Sequence, residues 1–170
     1  MLRTGTQERT GERRSLLLCE MNEAMPRIRR GSLADLSAVE LLLMSAGLPT
    51  DDIRSIPGLL TWVAEADASL RGVIALEPFG HEGLLRSLAV APNARGHGLG
   101  RGLVAQVEGD ARTEGVRKLV LLTQTAEMFF RDLGYQTVSR DDVSDAVKRS
   151  AQFRSLCPAS ATCMAKVLHD

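Results

Sequence analysis

The chain has 170 residues, 44% of them apolar and 25% charged, with 21 basic and 21 acidic residues and no formal net charge. That length suffices for one domain with a full hydrophobic core, and the neutral balance gives no electrostatic case for nucleic acid or an anionic membrane as a partner. No apolar run approaches the ~20 residues that span a bilayer, and residues 16–19 are too short for a signal-peptide core, with Glu20 directly behind them, so the chain reads as cytoplasmic.

Residues 1–24 are polar, rich in Arg, Glu, Thr and Gly, and lack periodicity. They read as a disordered extension ahead of one domain over 25–170, with Met21 and Met25 as alternative starts. Ile28 marks a short first strand. Ser32 and Asp35 have the spacing of a capping box. Leu36, Val39, Leu42, Leu43 and Ala46 then recur with helical period until Gly47 closes the helix. Residues 49–57 read as a loop or a short second helix. A hairpin follows, with strands over 59–66, which holds the single tryptophan Trp62, and over 70–76. Residues 78–83 read as a turn and 84–90 as a strand. The turn Arg95-Gly96-His97-Gly98-Leu99-Gly100 opens onto an amphipathic helix reaching Gly115, whose apolar stripe is Leu103, Val104, Val107 and Ala111. Beyond it come a strand over 118–123, a short helix over 126–133 ended by Gly134, and a strand over 135–138. A polar helical stretch over 141–150 and a last strand over 161–168 complete the chain. Hairpin-linked and helix-linked strands together predict an α/β class domain with a mixed sheet.

The glycine turn is the most informative feature. A strand, a glycine loop and a helix N-terminus together make an anion site. The first helical turn has N–H groups without partners, the macrodipole adds partial positive charge, and glycines let a phosphate come close. The spacing is not that of a P-loop, because Arg101-Gly102 stands where Lys and Ser/Thr would be required. Gly96-x-Gly98-x-Gly100 is not the dinucleotide fingerprint either, and no downstream acidic strand end accompanies it. The remaining pattern, Arg-x-x-Gly-x-Gly, resembles the pyrophosphate loop of the GNAT family of N-acetyltransferases.

That resemblance extends from Pro26 to Lys166. Leu88-Ala89-Val90 resembles the splayed strand whose backbone pairs with the pantetheine arm of the cofactor. Phe129-Phe130-Arg131-Asp132-Leu133-Gly134-Tyr135 resembles the later helix and its Gly-aromatic ending. The resemblance implies the GNAT fold, a central and mostly antiparallel sheet splayed at the cofactor site and flanked by helices. It implies acetyl-CoA as co-substrate, with its diphosphate held by Arg95, Gly96, His97, Gly98, Leu99, Gly100 and Arg101 and a wall supplied by Phe129 and Phe130. Two finer similarities narrow the subgroup. Residues 86–90 with Leu122-Thr123 and Phe129-Phe130 resemble the acetyltransferase domain of N-acetylglutamate synthases. Residues 155–164 resemble a branch found with arsenic-resistance genes, some of whose relatives detoxify glutamate-like antibiotics. The implied partner is a small-molecule amine. A protein or peptide acceptor, and a non-catalytic acyl-CoA or metalloid sensor, are the alternatives. Homodimers are frequent in such folds, but nothing in the sequence specifies an interface.

Acetyl transfer to an amine needs a deprotonated nucleophile, donors for the oxyanion, and neutralisation of the leaving thiolate. Direct attack needs no enzyme nucleophile when proximity is well arranged. By resemblance, the backbone N–H of Val90 is the oxyanion donor. Many family members carry a tyrosine as the acid for the thiolate where this chain has Phe130. The single tyrosine, Tyr135, is either that acid or a core residue.

Strand alternation puts Arg86 on one face with Leu84, Leu88 and Val90. A guanidinium there needs a partner, either Glu65 or Glu77 on a neighbouring strand or the carboxylate of a substrate. Ser87 points the other way, as a substrate contact or a small packing residue. Glu77, at an expected strand end before Pro78, is either a base facing the cleft or a solvated terminus. His81 titrates in the right range for a base but reads as a surface residue. Three cysteines do not make a disulfide framework, and Cys157 and Cys163 lack the companions of a zinc site. They read as packing residues or as a pair of thiols with affinity for arsenic, and no metal is expected.

Overall fold

The computed structural model describes residues 25–169, so the extension expected over 1–24 lies outside the described residues. Runs of β-branched and other apolar residues build a seven-stranded sheet in the order β1-β2-β3-β4-β5-β7-β6. The strands are β1 (Arg27–Arg30), β2 (Leu60–Ala66), β3 (Ser69–Phe79), β4 (Glu82–Val90), β5 (Lys118–Thr123), β6 (Gln136–Thr137) and β7 (Thr162–Val167). Every neighbouring pair is antiparallel except β4 with β5. The helices are α1 (Leu36–Ser45), α2 (Leu99–Thr113), α3 (Glu127–Asp132) and α4 (Asp145–Lys148). Among the described residues no helix is long and apolar enough to cross a membrane.

Period-two alternation divides the side chains between two layers. Trp62, Ile74, Leu76, Leu85, Leu119, Leu121 and Met164 face α2, which packs Leu103, Val104, Val107 and Ala111 onto them. The opposite face carries two separate apolar clusters. Val63, Val73 and Ala89 lie with Val39 and Leu43 of α1 and with Ile53. Leu84, Val120, Cys163 and Ala165 lie with Val143 and with Val147 of α4.

Three expectations from the sequence change here. The turn placed over 78–83 shrinks to Gly80 and His81, because Pro78 pairs with Gly83 inside a longer hairpin. Proline is tolerated there because the β2 ladder ends at Leu76, so its missing N–H deprives no neighbour. The polar stretch over 141–150 is a 3-10 turn at Arg140–Asp142 followed by α4, whose Ser144 side chain accepts a hydrogen bond from the Val147 N–H. A π-helical turn, Gln152–Leu156, follows it.

The third change fixes the site. In β4, Arg86 opposes Ala75 and Ala89 opposes Val73, so Ser87 and Leu88 together oppose Ile74 alone. This is a β-bulge, and Ser87 sits at its centre with φ +56. The extra residue resets the alternation. Leu88 and Val90 therefore pack on the α2 face, while Arg86 stays on the other face with Leu84. The shared face expected for Arg86, Leu88 and Val90 does not exist. The bulge also ends the pairing with β5, which covers only Glu82 to Leu84. Beyond Leu84 the two central strands part.

Candidate active site

The parting opens into a cavity of about 550 Å³. One side is formed by Arg86, Ser87 and Leu88 of β4 and another by residues 121–126. Phe130 of α3 lies toward α2, and Gln152, Leu156 and Cys157 lie on the opposite side of the sheet. The cavity thus runs through the sheet.

Beyond that lining, on the α2 side, Phe129 next to Phe130 lies against the glycine loop. Gly96 and Gly98 have φ of +82 and +80, and a Cβ at either would meet nothing within 4 Å. Glycine is required there for the backbone turn, and it leaves open the space in front of the helix. The Gly102 N–H makes a helical bond to the Gly98 carbonyl at 3.0 Å. The N–H groups of residues 99–101, ahead of it, have no intrahelical acceptor. The Arg95 Nε donates to the Val90 carbonyl at 2.9 Å and ties the loop to the end of β4. The Phe129 ring lies against Gly100, and the Arg101 guanidinium sits 5.9 Å from that ring. His97 is exposed.

The Ala91 N–H donates to the Arg71 carbonyl of β3 at 2.8 Å. Strand alternation therefore turns the Val90 N–H away from β3, toward the gap. Ala89, between Val90 and Leu88, packs into the cluster under α1. Ser87 and Leu88 line the cavity, and Phe130 forms its wall.

Arg86 is the buried charge at the centre of the site, its side chain 1% exposed. It fills the seam between the two apolar clusters. Its two Nη groups grip Asp52 in a fork at 2.6 and 2.7 Å, and Nη1 lies 3.5 Å from Glu77. Its Nε has no partner. Asp52 is the residue that sequence reasoning missed. The signal was there, since a buried guanidinium requires a carboxylate. The neighbouring strands offered Glu65 and Glu77, but Arg29 takes Glu65 at 2.7 Å. Glu77 is not at a strand end. It pairs with Leu84 in the lengthened hairpin and is buried, and burial pushes its carboxyl up against the pull of Arg86. It does not line the cavity.

Tyr135 is 1% exposed in the core beneath α2, 5.4 Å from the Phe130 ring, and is not among the residues lining the cavity. Burial and the neighbouring Glu108 carboxylate push its phenol far above the usual tyrosine range. The two C-terminal cysteines have different surroundings. Cys163 is packed with Leu84 and Val120. Cys157 lines the cavity and donates to the Gln152 Oε1 at 2.9 Å. Burial pushes both thiols up. His81 is exposed in the hairpin turn, its Nδ1 3.1 Å from the Gly115 carbonyl. Among the described residues no cluster of three His, Cys, Asp or Glu could hold a metal ion.

Residues 57–137 match the family model of the acetyltransferase (GNAT) domain. An amino-acid acetyltransferase of Ralstonia nicotianae is 35% identical over 85 residues, which is 49% of this chain and 19% of that protein. The chain thus spans about a fifth of the length of the curated relatives it matches. Among solved structures, N-acetylglutamate synthase of Neisseria gonorrhoeae, complexed with coenzyme A and L-arginine, superposes with a TM-score of 0.72 at 25% identity. The match covers 87% of this chain and 34% of that one. Rv2747 of Mycobacterium tuberculosis, in complex with CoA and NLQ, shares the fold at a TM-score of 0.70 and 24% identity, over 85% of this chain and all of that one. Residues 57–137 therefore carry a GNAT acetyltransferase domain, homologous to that of the amino-acid acetyltransferases, on a fold shared with N-acetylglutamate synthase.

Proposed function

We propose that the protein moves an acetyl group from acetyl-CoA to the amine of a small amino acid or a glutamate-like compound. The observation that carries the reading is the placement of the cavity. It opens where β4 and β5 part, lined by Arg86 of the buried seam and by Phe130, whose neighbour Phe129 lies against Gly100 of the anion loop. The amino-acid acetyltransferases among its relatives support an amino acid as acceptor. The likeness of residues 155–164 to the arsenic-associated branch supports a glutamate-like antibiotic within the same acceptor class.

The residues present fit acetyl-CoA. The free N–H groups of residues 99–101 and the open space at Gly96 and Gly98 suit a diphosphate, with Arg95 and Arg101 beside it. The unpaired edge of β4 at Leu88 and Val90 suits the amides of pantetheine. Acetyl-CoA supplies an activated acetyl thioester. The acceptor nitrogen bonds to the acetyl carbon as the carbon–sulfur bond breaks, the nitrogen gives up a proton, and the thiolate takes one. The Val90 N–H, turned into the gap, donates to the oxygen on which charge develops. A donor of this kind contributes about 2.7–4 kcal/mol.

Among the described residues no Asp, Glu or His lines the cavity. The acceptor therefore loses its proton to water, and water protonates the thiolate. Tyr135 and Glu77 stay outside the proton transfers. The test is thiol release from acetyl-CoA with a panel of free amino acids, glutamate and its phosphinic and arsinic mimics. Turnover that climbs with pH up to the acceptor's own amine pKa supports the reading. Turnover of peptides alone, or tight cofactor binding with no turnover, overturns it.

A further inference from the structure

One buried polar group at the cavity is left unexplained by acetyl transfer alone. Gln152 is 7% exposed, lines the cavity, and opens the π-helical turn. Such turns are rare and recur at functional sites. The turn is closed by the Cys157 N–H donating to the Gln152 carbonyl at 3.1 Å, and the Cys157 thiol donates to the Gln152 Oε1 at 2.9 Å. The side-chain oxygen is therefore occupied, and the amide nitrogen, with two donors and no protein partner, is the end left for the cavity. On the same cavity, Arg86 has both Nη groups engaged by Asp52 and an Nε without a partner. The wall opposite α2 thus offers N–H donors and no free carboxylate. That suits an oxygen acceptor and not a second cation.

We propose that Gln152, aligned by the Cys157 thiol, is a specificity-determining residue that donates from its Nε2 to a carboxylate oxygen of the acceptor. This rests on the amino-acid reading above. It assigns Cys157 a positioning role: its S–H fixes which end of the amide meets the substrate. Arg86 backs the wall without leaving Asp52.

The experiment compares the wild type with Gln152→Leu, Cys157→Ala and Cys157→Ser, using a free amino acid and its decarboxylated amine as acceptors. Coenzyme A affinity and Tm serve as folding controls. The expected result is a rise in KM of about tenfold or more for the amino acid in Gln152→Leu and Cys157→Ala. KM for the decarboxylated amine and kcat stay close to the wild type. Cys157→Ser, which keeps a donor, restores the low KM. Folded variants that raise KM equally for both acceptors, or for neither, overturn the assignment while leaving amino-acid acetylation standing. A wild type silent on every amino acid overturns that wider reading, and the assignment with it.

Discussion

The glycine loop works with backbone, and the opposite wall of the cleft works with side chains. Residues 96–101 present N–H groups whose direction is set locally by two glycines with positive φ. The wall beyond β4 gathers Asp52, Arg86, Gln152 and Cys157 from three segments far apart in the chain. A backbone site needs a spacing and tolerates many side chains between its glycines. A side-chain site needs particular residues held by particular partners, so one substitution disturbs several contacts at once.

Substitutions test that contrast from both sides. The largest expected effect is Arg86→Ala. It leaves Asp52 and Glu77 facing each other without their cation, and breaking a buried pair in this way costs about 3–5 kcal/mol. Urea unfolding should show a loss of that order. A loss below about 1 kcal/mol would mean that the seam is hydrated and that Arg86 contributes little to the fold. On the backbone side, Gly98→Ala forces a side chain into the left-handed region at about 1–2 kcal/mol and places a methyl in front of the helix. Coenzyme A affinity, read by calorimetry, should fall about tenfold with the fold intact. Unchanged affinity would remove the loop from the diphosphate site.

The pH dependence of the acceptor wall comes next. Burial raises the Cys157 thiol, so its alkylation at pH 8 should lag that of an exposed cysteine. The sign for stability follows from the same shift. The contribution is complete below the ordinary thiol value and is lost as pH rises through the higher folded one. Cys157→Ser should flatten that alkaline slope, and a slope that persists assigns it to another group. The smallest expected change is Tyr135→Phe. A tyrosine acting as the acid would cost about 10²–10⁴-fold in kcat when removed. With Tyr135 buried away from the cavity, kcat should stay within about twofold of the wild type.

These experiments also bear on why one wall could be read from the sequence and the other could not. Gly96, Gly98 and Gly100 sit between a strand and a helix, and that local order alone defines an anion site. Most strands and the α2 stripe were equally legible, because their periodicity lies within a dozen residues. The bulge was not, since Ser87 carries no mark of positive φ, and missing it placed Leu88 and Val90 on the wrong face. Arg86 announced a need for a carboxylate, but Asp52 meets that need from a loop 34 residues away. Phe130 and Tyr135 look alike as neighbours of Gly134, and only packing shows that one lines the cavity and the other does not.

The parting of β4 and β5 has a consequence for association as well as for chemistry. A continuous sheet has two borders, but this one, open in its middle, has two more. Unpaired strand borders recruit other chains, and proteins ordinarily blunt or cover them. Here the gap is lined by the side chains of Phe130, Gln152, Leu156 and Cys157, so a second protein's strand meets side chains before it meets backbone. A thin molecule that carries its own amides can still enter and complete the ladder on the β4 side. Its arrival would repair the sheet as it loads the site, so the melting temperature should climb with the logarithm of coenzyme concentration.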